Sequence, residues 1–243
     1  MEQVEISSRE NATFKELLQL TEKKWRRRFG KCVIEGEKIV RDNFKNAEKV
    51  FVRKRSQYIF KDIYPNAIIL ADKLFDLITE LDTDQGVLAI ISTPQAGEIT
   101  FPFLVMDGVG DPGNAGALLR SAAAFGFSTV ICLDSVDVWS PKVLRASVGV
   151  QFSLNIVESS MDNFKKPDGA YLVAADLDGE DIKTFDNKEA RFGLVVGSEG
   201  HGLCDYIKGM VDRTMTISMK AGVESLNVAV AGGILMHELA GKN

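Results

Sequence analysis

The chain has 243 residues, 45% of them hydrophobic, and a formal net charge of −5, so it can hold two modest globular domains and looks at first unlike a nucleic-acid binder. No run of about 18 apolar residues is present, and the start Met1-Glu-Gln-Val-Glu-Ile has neither the basic region nor the apolar stretch of a secretory signal; no membrane association is expected. Cys32, Cys132 and Cys204 are far apart without zinc spacing, and His201 and His237 are the two histidines, which fits a cytoplasmic protein with no metal.

The charge is unevenly distributed. Residues 1–61 carry 16 Lys/Arg against 9 Asp/Glu, a local +7, and residues 101–243 carry 12 against 18, a local −6. The basic excess peaks at Lys23-Lys24-Trp25-Arg26-Arg27-Arg28 and at Arg53-Lys54-Arg55. Such runs either hold phosphates through charge and counterion release or form a solvated helix face. Lys24, Arg26, Arg27 and Arg28 are the candidate contacts to RNA or DNA, and Trp25 offers a stacking surface.

In chain order, Asn11–Lys23 reads as an amphipathic helix with Phe14, Leu17, Leu18 and Leu20 on its apolar side. Lys31–Glu35, Lys49–Arg53, Ala67–Ala71 and Gly86–Ile91 read as strands, with helices at Glu37–Asn43 and Asp72–Glu80. This predicts a small α/β domain over residues 1–93. Residues 94–101, rich in Pro, Gly and polar side chains, read as a linker. Residues 102–243 form the second predicted domain. Its strands are Phe103–Met106, Thr129–Leu133, Phe152–Val157, Tyr171–Ala175, Phe192–Val196 and Arg213–Ile217. They alternate with helices at Gly113–Phe125, Pro141–Val148 and Leu226–Leu239. Near-continuous apolar strands alternating with helices imply a parallel sheet covered on both faces.

Two loops of the second domain carry chemistry. Leu194-Val-Val-Gly-Ser-Glu-Gly-His-Gly-Leu203 is an apolar strand that breaks into glycines around one acid. Glycines there let main chain approach a ligand closely, and the carboxyl end of a strand is where open α/β sheets place their sites. Ser225-Leu-Asn-Val228 runs straight into a helix of small residues, where Ser225 suits an N-cap. Gly232-Gly233 within that helix costs helix stability, which close packing of another helix would explain. A third loop, Asp107–Gly116, contains G-x-G-x-x-G, but Asp111 and Pro112 interrupt it, and a lone match is weak evidence for nicotinamide binding. Arg120 is the one basic residue of the helix that follows, and in small, apolar surroundings it calls for an anionic partner.

Asn114-x-Gly116-x-x-x-Arg120-x-Ala122-x-x-Phe125-Gly126, then Gly197-Ser-Glu-Gly-x-Gly-Leu203, then Ser225-Leu-Asn-Val228 resemble, in order and spacing, the three motifs of the SpoU-type RNA ribose 2′-O-methyltransferases of the SPOUT superfamily. Asn11-Ala-Thr-Phe-Lys15 and Val33-Ile-Glu-Gly-Glu37 resemble that family's substrate-binding domain of L30e type. The resemblance implies an α/β protein. Its C-terminal domain is a parallel sheet with a deep trefoil knot, and a small L30e-like domain precedes it. S-adenosylmethionine as cofactor and a homodimer are implied as well. It implies that Gly197, Gly200, Ile217 and Leu226 meet the cofactor and that Asn114, Arg120, Glu199, Ser225 and Asn227 form the active-site polar set. Ser218 stands where a proline is usual in the family.

The expected activity is methylation of a ribose 2′-hydroxyl in structured RNA, ribosomal in preference to transfer RNA because a fused L30e-like domain suits a kinked or looped RNA. Arg120 would stabilise the developing alkoxide, with Asn114, Glu199 and Ser225 fixing it and the hydroxyl. The alternative is an RNA-binding assembly factor that keeps the fold without catalysis. A base-nitrogen methyltransferase of the same superfamily fits less well with the Arg120 helix and the Ser225-Leu-Asn triplet.

Overall fold

A computed structural model describes residues 4–81, 83–184 and 191–240. The chain divides into two compact units. The first comprises residues 1–93 with 139–149, and the second 94–138 with 150–243.

In the first unit the elements run β1 (Glu5–Ile6), α1 (Ala12–Gln19), α2 (Lys23–Phe29), β2 (Lys31–Glu35), α3 (Glu37–Asn43), β3 (Ala47–Arg53), α4 (Gln57–Phe60), β4 (Ile68–Leu70), α5 (Asp72–Phe75) and β5 (Val87–Ser92). The mixed sheet has the order β1-β4-β3-β5-β2, with β5 antiparallel to both β3 and β2. Phe14 and Leu17 of α1, with Leu20 just beyond it, pack on Val33, Phe51, Leu88 and Ile90 of the sheet. Leu18, expected on that side, is 39% exposed.

The helix expected over Asn11–Lys23 is broken into two. Asn11 caps α1 through Oδ1, which accepts from the amides of Thr13 and Phe14 at 2.9 and 3.3 Å. The helix stops at Gln19, and α2 begins at Lys23. Arg26 explains the break. It is buried, and its guanidinium donates to the carbonyls of Leu20 and Thr21 at 2.9 and 2.7 Å. Leu20 is the C-cap of α1 and Thr21 lies in the turn after it, where carbonyls have no helical partner, and a buried cation satisfies them. Arg26 is therefore a framework residue, not the phosphate contact its place in a basic run suggests. Arg53 is likewise buried, paired with Asp84 at 3.1 Å, with Asp76, and over the Phe75 ring. Lys54 pairs with Glu5 and Arg55 with Asp84 at the surface, so every cation of the second basic run has an acid of its own unit beside it.

The second unit continues with β6 (Phe103–Asp107), α6 (Pro112–Ala124) and β7 (Thr129–Leu133). Next comes α7 (Pro141–Ser147), whose residues pack with the first unit, where Arg145 donates to Glu35 at 3.1 Å and Glu80 at 3.2 Å. The second unit resumes with β8 (Asn155–Ser159), β9 (Tyr171–Asp181), β10 (Phe192–Val196), α8 (Asp205–Lys208), β11 (Arg213–Thr216) and α9 (Val228–Ala240). Its six strands are all parallel, in the order β11-β9-β10-β6-β7-β8. Every residue of β6, β7 and β10 is buried, as a strand covered on both faces requires. The strand expected at Phe152–Val157 begins at Asn155, because Val150–Ser153 form a 3-10 turn.

Among the described residues no helix is long and apolar enough to cross a membrane.

Arg26→Ala leaves two carbonyls unsatisfied and is expected to cost about 3 kcal/mol, lowering the melting temperature by roughly 6 °C or more. Exposed Arg27 and Arg28, replaced by alanine, are expected to leave it within about 2 °C. Calorimetric melting of the three variants checks this.

Candidate functional site

The site lies in the second unit, where β10 neighbours both β6 and β9. Strand β10 ends at Val196 and runs into Gly197. A Cβ on Gly197 would fall 2.3 Å from the Gly202 carbonyl carbon and 2.6 Å from the Leu203 nitrogen. Main chain therefore packs on main chain, which only glycine permits. Ser198 and Gly202 exchange backbone hydrogen bonds of 3.0 Å in both directions, with Gly202 at φ +65. The loop's far end is pinned by Asp107, buried at the end of β6, whose Oδ2 accepts from the Cys204 amide at 2.7 Å. Sequence reading passed over Asp107, although an acid closing an apolar strand beside a glycine loop was the available signal.

Asn227, not Ser225, caps α9. Its Oδ1 accepts from the amides of Ala229 and Val230 at 3.0 and 3.3 Å. Its Nδ2 is then left to donate, and it donates to Asn114 Oδ1 at 2.9 Å. Asn114 Nδ2 in turn donates to Glu199 Oε1 at 2.5 Å. The backbone amides of one helix thus set the orientation of two side-chain amides, and Glu199 can only accept at the end of the row. Asn114 is held for this at the first turn of α6, where Asp111 Oδ1 accepts from the Asn114 amide at 2.8 Å. The three motifs, 85 and 113 residues apart along the chain by their bonded partners, meet in this row.

Beside the row opens a cavity of about 720 Å³, inside the range of about 300–1,000 Å³ in which small ligands bind. Gly197, Ile217 and Leu226 line it, as do Glu199, Ser225 and Asn227, whereas Gly200 does not. The carboxylates of Asp176, Glu199 and Glu224 also border it, against the single ammonium of Lys208. Val196, Met215 and Leu235 supply apolar wall. The loop from β11 to α9 forms one side, and Ser218 ties it down: its hydroxyl donates to the Asp181 carboxylate at the end of β9. That bond, then the Lys183 amide, holds the Asp181 carboxyl below the usual range. A lowered value means the tie is complete above the ordinary carboxylate range, about 3.9, and is lost only as pH falls through the lowered one.

Arg120 stands apart from this cavity. It is exposed on α6, with no hydrogen bond or ion pair among the described residues, so its anionic partner is not an acid of the described chain. Gly232 and Gly233 are explained within the chain: a Cβ on Gly232 would lie 2.5 Å from Leu118 Cδ2, and one on Gly233 3.2 Å from Ser121 Oγ. The two glycines let α9 lie against α6.

Residues 102–237 match the family model of the SpoU rRNA methylases, and residues 11–89 that of the MRM3-like substrate-binding domain. The chain belongs to the SpoU rRNA methylase family. It is 29% identical over 248 residues to a Bacillus subtilis protein named 23S rRNA (guanosine(2553)-2′-O)-methyltransferase RlmP, covering 98% of this chain and 99% of that one. It is 32% identical to the 23S rRNA (adenosine(1067)-2′-O)-methyltransferase of Streptomyces laurentii, over 72% of this chain and 69% of that one. The crystal structure of an AdoMet-bound rRNA methyltransferase from Sinorhizobium meliloti superposes with a TM-score of 0.82 at 26% identity, covering 96% of each chain. The chain is thus a methyltransferase, and the row is where its three sequence segments around Asn114, Glu199 and Asn227 converge.

Gly197 and Gly200 separate the roles of the loop. At Gly200 a Cβ meets nothing within 4 Å, so Gly200→Ala is expected to leave S-adenosylmethionine affinity within about twofold. Gly197→Ala drives a methyl into the Gly202–Leu203 peptide and is expected to weaken it about tenfold or more by displacing the loop. Calorimetric titration, with circular dichroism to verify folding, checks both.

Proposed function

We propose that the chain transfers a methyl group from S-adenosylmethionine to a ribose 2′-hydroxyl of structured ribosomal RNA. The observation that carries this reading is the hydrogen-bonded row that ends with Glu199 at the exposed edge of the cavity. The donor chemistry of the site suits the cofactor, which brings a sulfonium and an ammonium to walls where three carboxylates face one lysine. When bound, S-adenosylmethionine supplies the methyl as an electrophile. The names of the Bacillus and Streptomyces relatives support ribosomal RNA and the 2′-oxygen.

The chain's own residues have four tasks. Gly197, Ile217 and Leu226 hold the cofactor through main chain. Asn227 and Asn114 are positioning residues, because they aim Glu199 without freedom to rotate. Glu199 and Ser225 hold the hydroxyl, and a carboxylate so placed accepts its hydrogen bond. Arg120, exposed, outside the cavity and without an internal partner, is placed to meet the RNA, where its guanidinium would favour the negative charge that develops at the oxygen; a guanidinium carries donors only and has no acceptor with which to take a proton.

In this reading residues 1–93 hold RNA, the C-terminal sheet carries the knot that the family likeness implies, and two copies associate in the cytoplasm. The support for association is the outer side of α9, where Val230 and Ile234 are 51% and 38% exposed and His237 lies edge-on to Phe125. The glycines of α9 give no such support, since α6 occupies their face.

Mapping of 2′-O-methylation in total RNA with and without the protein tests the activity; an unchanged map overturns it. Arg120→Ala is expected to lower turnover by about a hundredfold, some 2.7 kcal/mol of barrier. Cofactor affinity is expected to stay within about threefold, because Arg120 is outside the cavity. A variant with more than about a tenth of normal turnover removes Arg120 from the central role.

A further inference from the structure

The helix α2 presents a surface that its sequence only half disclosed. With Arg26 turned inward, the outward side is formed by Lys24, Trp25, Arg28 and Phe29, the last an aromatic that no sequence argument singled out. The Trp25 and Phe29 rings stack, with centroids 5.5 Å apart and planes 14° from parallel. The Lys24 ammonium and the Arg28 guanidinium lie over the Trp25 ring, at 5.4 and 5.3 Å. Phe29 closes the column and is 41% exposed. Lys24 shares Glu22 at 3.0 Å in a solvent-exposed pair, and Lys23 and Arg28 have no ion pair among the described residues. In the second basic run Arg53 is buried, and exposed Lys54 and Arg55 pair with Glu5 and Asp84 with no aromatic ring beside them among the described residues.

An exposed ring at the end of a stacked column costs water contact unless another planar group covers it, and the cations beside it select a planar ligand that is also anionic. A nucleic-acid base with its phosphates has both properties. In a duplex the base faces are already stacked on one another; in a single strand they are open. We propose that α2 takes an unpaired stretch of the RNA substrate, one base stacking on Phe29 at the end of the Trp25–Phe29 column while Arg28 and Lys24 hold the adjoining phosphates. This rests on the RNA-methyltransferase reading, and it adds to that reading the form of RNA the first unit selects.

The test uses the full chain, a fluorescent 12-nucleotide single-stranded RNA of mixed sequence, a blunt RNA duplex of the same sequence, and heparin as a polyanion without bases. Anisotropy is read over a salt series. Phe29→Ala is expected to weaken single-strand binding about tenfold, the order of one stacked base. Its salt slope should stay unchanged, as should duplex and heparin binding. Phe29→Leu, which keeps apolar volume and should melt with the normal chain, is expected to lose most of the same affinity. Arg28→Ala is expected instead to lower the salt slope for single strands by about 0.7. Single-strand affinity unaltered in both Phe29 variants overturns the proposal. Equal losses for single strand, duplex and heparin overturn it too, because they assign Phe29 to packing. Unaltered binding of all three assigns the surface to a partner other than RNA and does the same. These outcomes are independent of the methylation map: an unchanged map with Phe29-dependent single-strand binding removes the enzymatic reading alone, and an altered map with Phe29-independent binding removes this inference alone.

Discussion

Two backbone amides at the first turn of α9 fix the direction of the hydrogen bonds in the site. An asparagine side chain can turn either way in solution, since its oxygen and nitrogen are alike in size. At Asn227 the choice is removed, because the Ala229 and Val230 amides need an acceptor. Everything downstream follows from that. Asn227 must donate, so Asn114 accepts and then donates, and Glu199 is met by a donor at its Oε1. A helix end, with its unsatisfied donors, is being used as the fixed reference for a polar group two side chains away. The cost of orienting these groups is met on folding, so little remains for the reaction to meet.

The reference works only if the helices that carry it cannot shift. Here contact without side chains matters. Gly232 and Gly233 bring α9 against Leu118 and Ser121 of α6, the helix that bears Asn114. Gly197 brings the start of the Glu199 loop against its own returning backbone at Gly202 and Leu203, and Asp107 closes it through the Cys204 amide. Each of these glycines weakens its own element slightly, by about 1 kcal/mol in a helix. The short distances they allow hold three motifs, remote in sequence, in one hydrogen-bonded row.

Much of this was legible in the sequence, and the failures share a cause. The buried strands announced themselves by their apolar runs, and Lys31–Glu35, Thr129–Leu133 and Phe192–Val196 begin and end where the pattern does. That Gly197, Ile217 and Leu226 line one cavity, and that Asn114, Glu199 and Asn227 meet, was implied by the family resemblance that the three ordered motifs carry. What sequence could not show was where a charged side chain goes once the chain turns back on itself. Arg26 and Arg28 are two residues apart and look alike on paper, yet one satisfies helix carbonyls inside and the other lies over an aromatic ring outside. Arg53 is hidden from the reader in the same way, since its acids, Asp76 and Asp84, are 23 and more residues distant. Ser225 lost the cap to Asn227 for a related reason: either residue type suits the position, and only the exact start of α9 decides.

The consequence for RNA binding is quantitative. Counted along the sequence, the two basic runs hold eight cations, and a polyanion meeting them all would release counterions steeply with salt. The folded unit withdraws Arg26 and Arg53 into its interior and pairs Lys54 and Arg55 with its own acids. What stays available is concentrated on α2, beside rings. Affinity drawn from a few phosphates is modest and sequence-blind, and it cannot by itself distinguish one part of a large folded RNA from another. Stacking on an exposed ring is likewise tolerant of base identity, but it is intolerant of pairing, since a base already stacked in a duplex has no face to give. A unit built this way discriminates by the shape and strandedness of the RNA, which is the distinction an enzyme needs when the atom it modifies, a ribose hydroxyl, is present on every nucleotide.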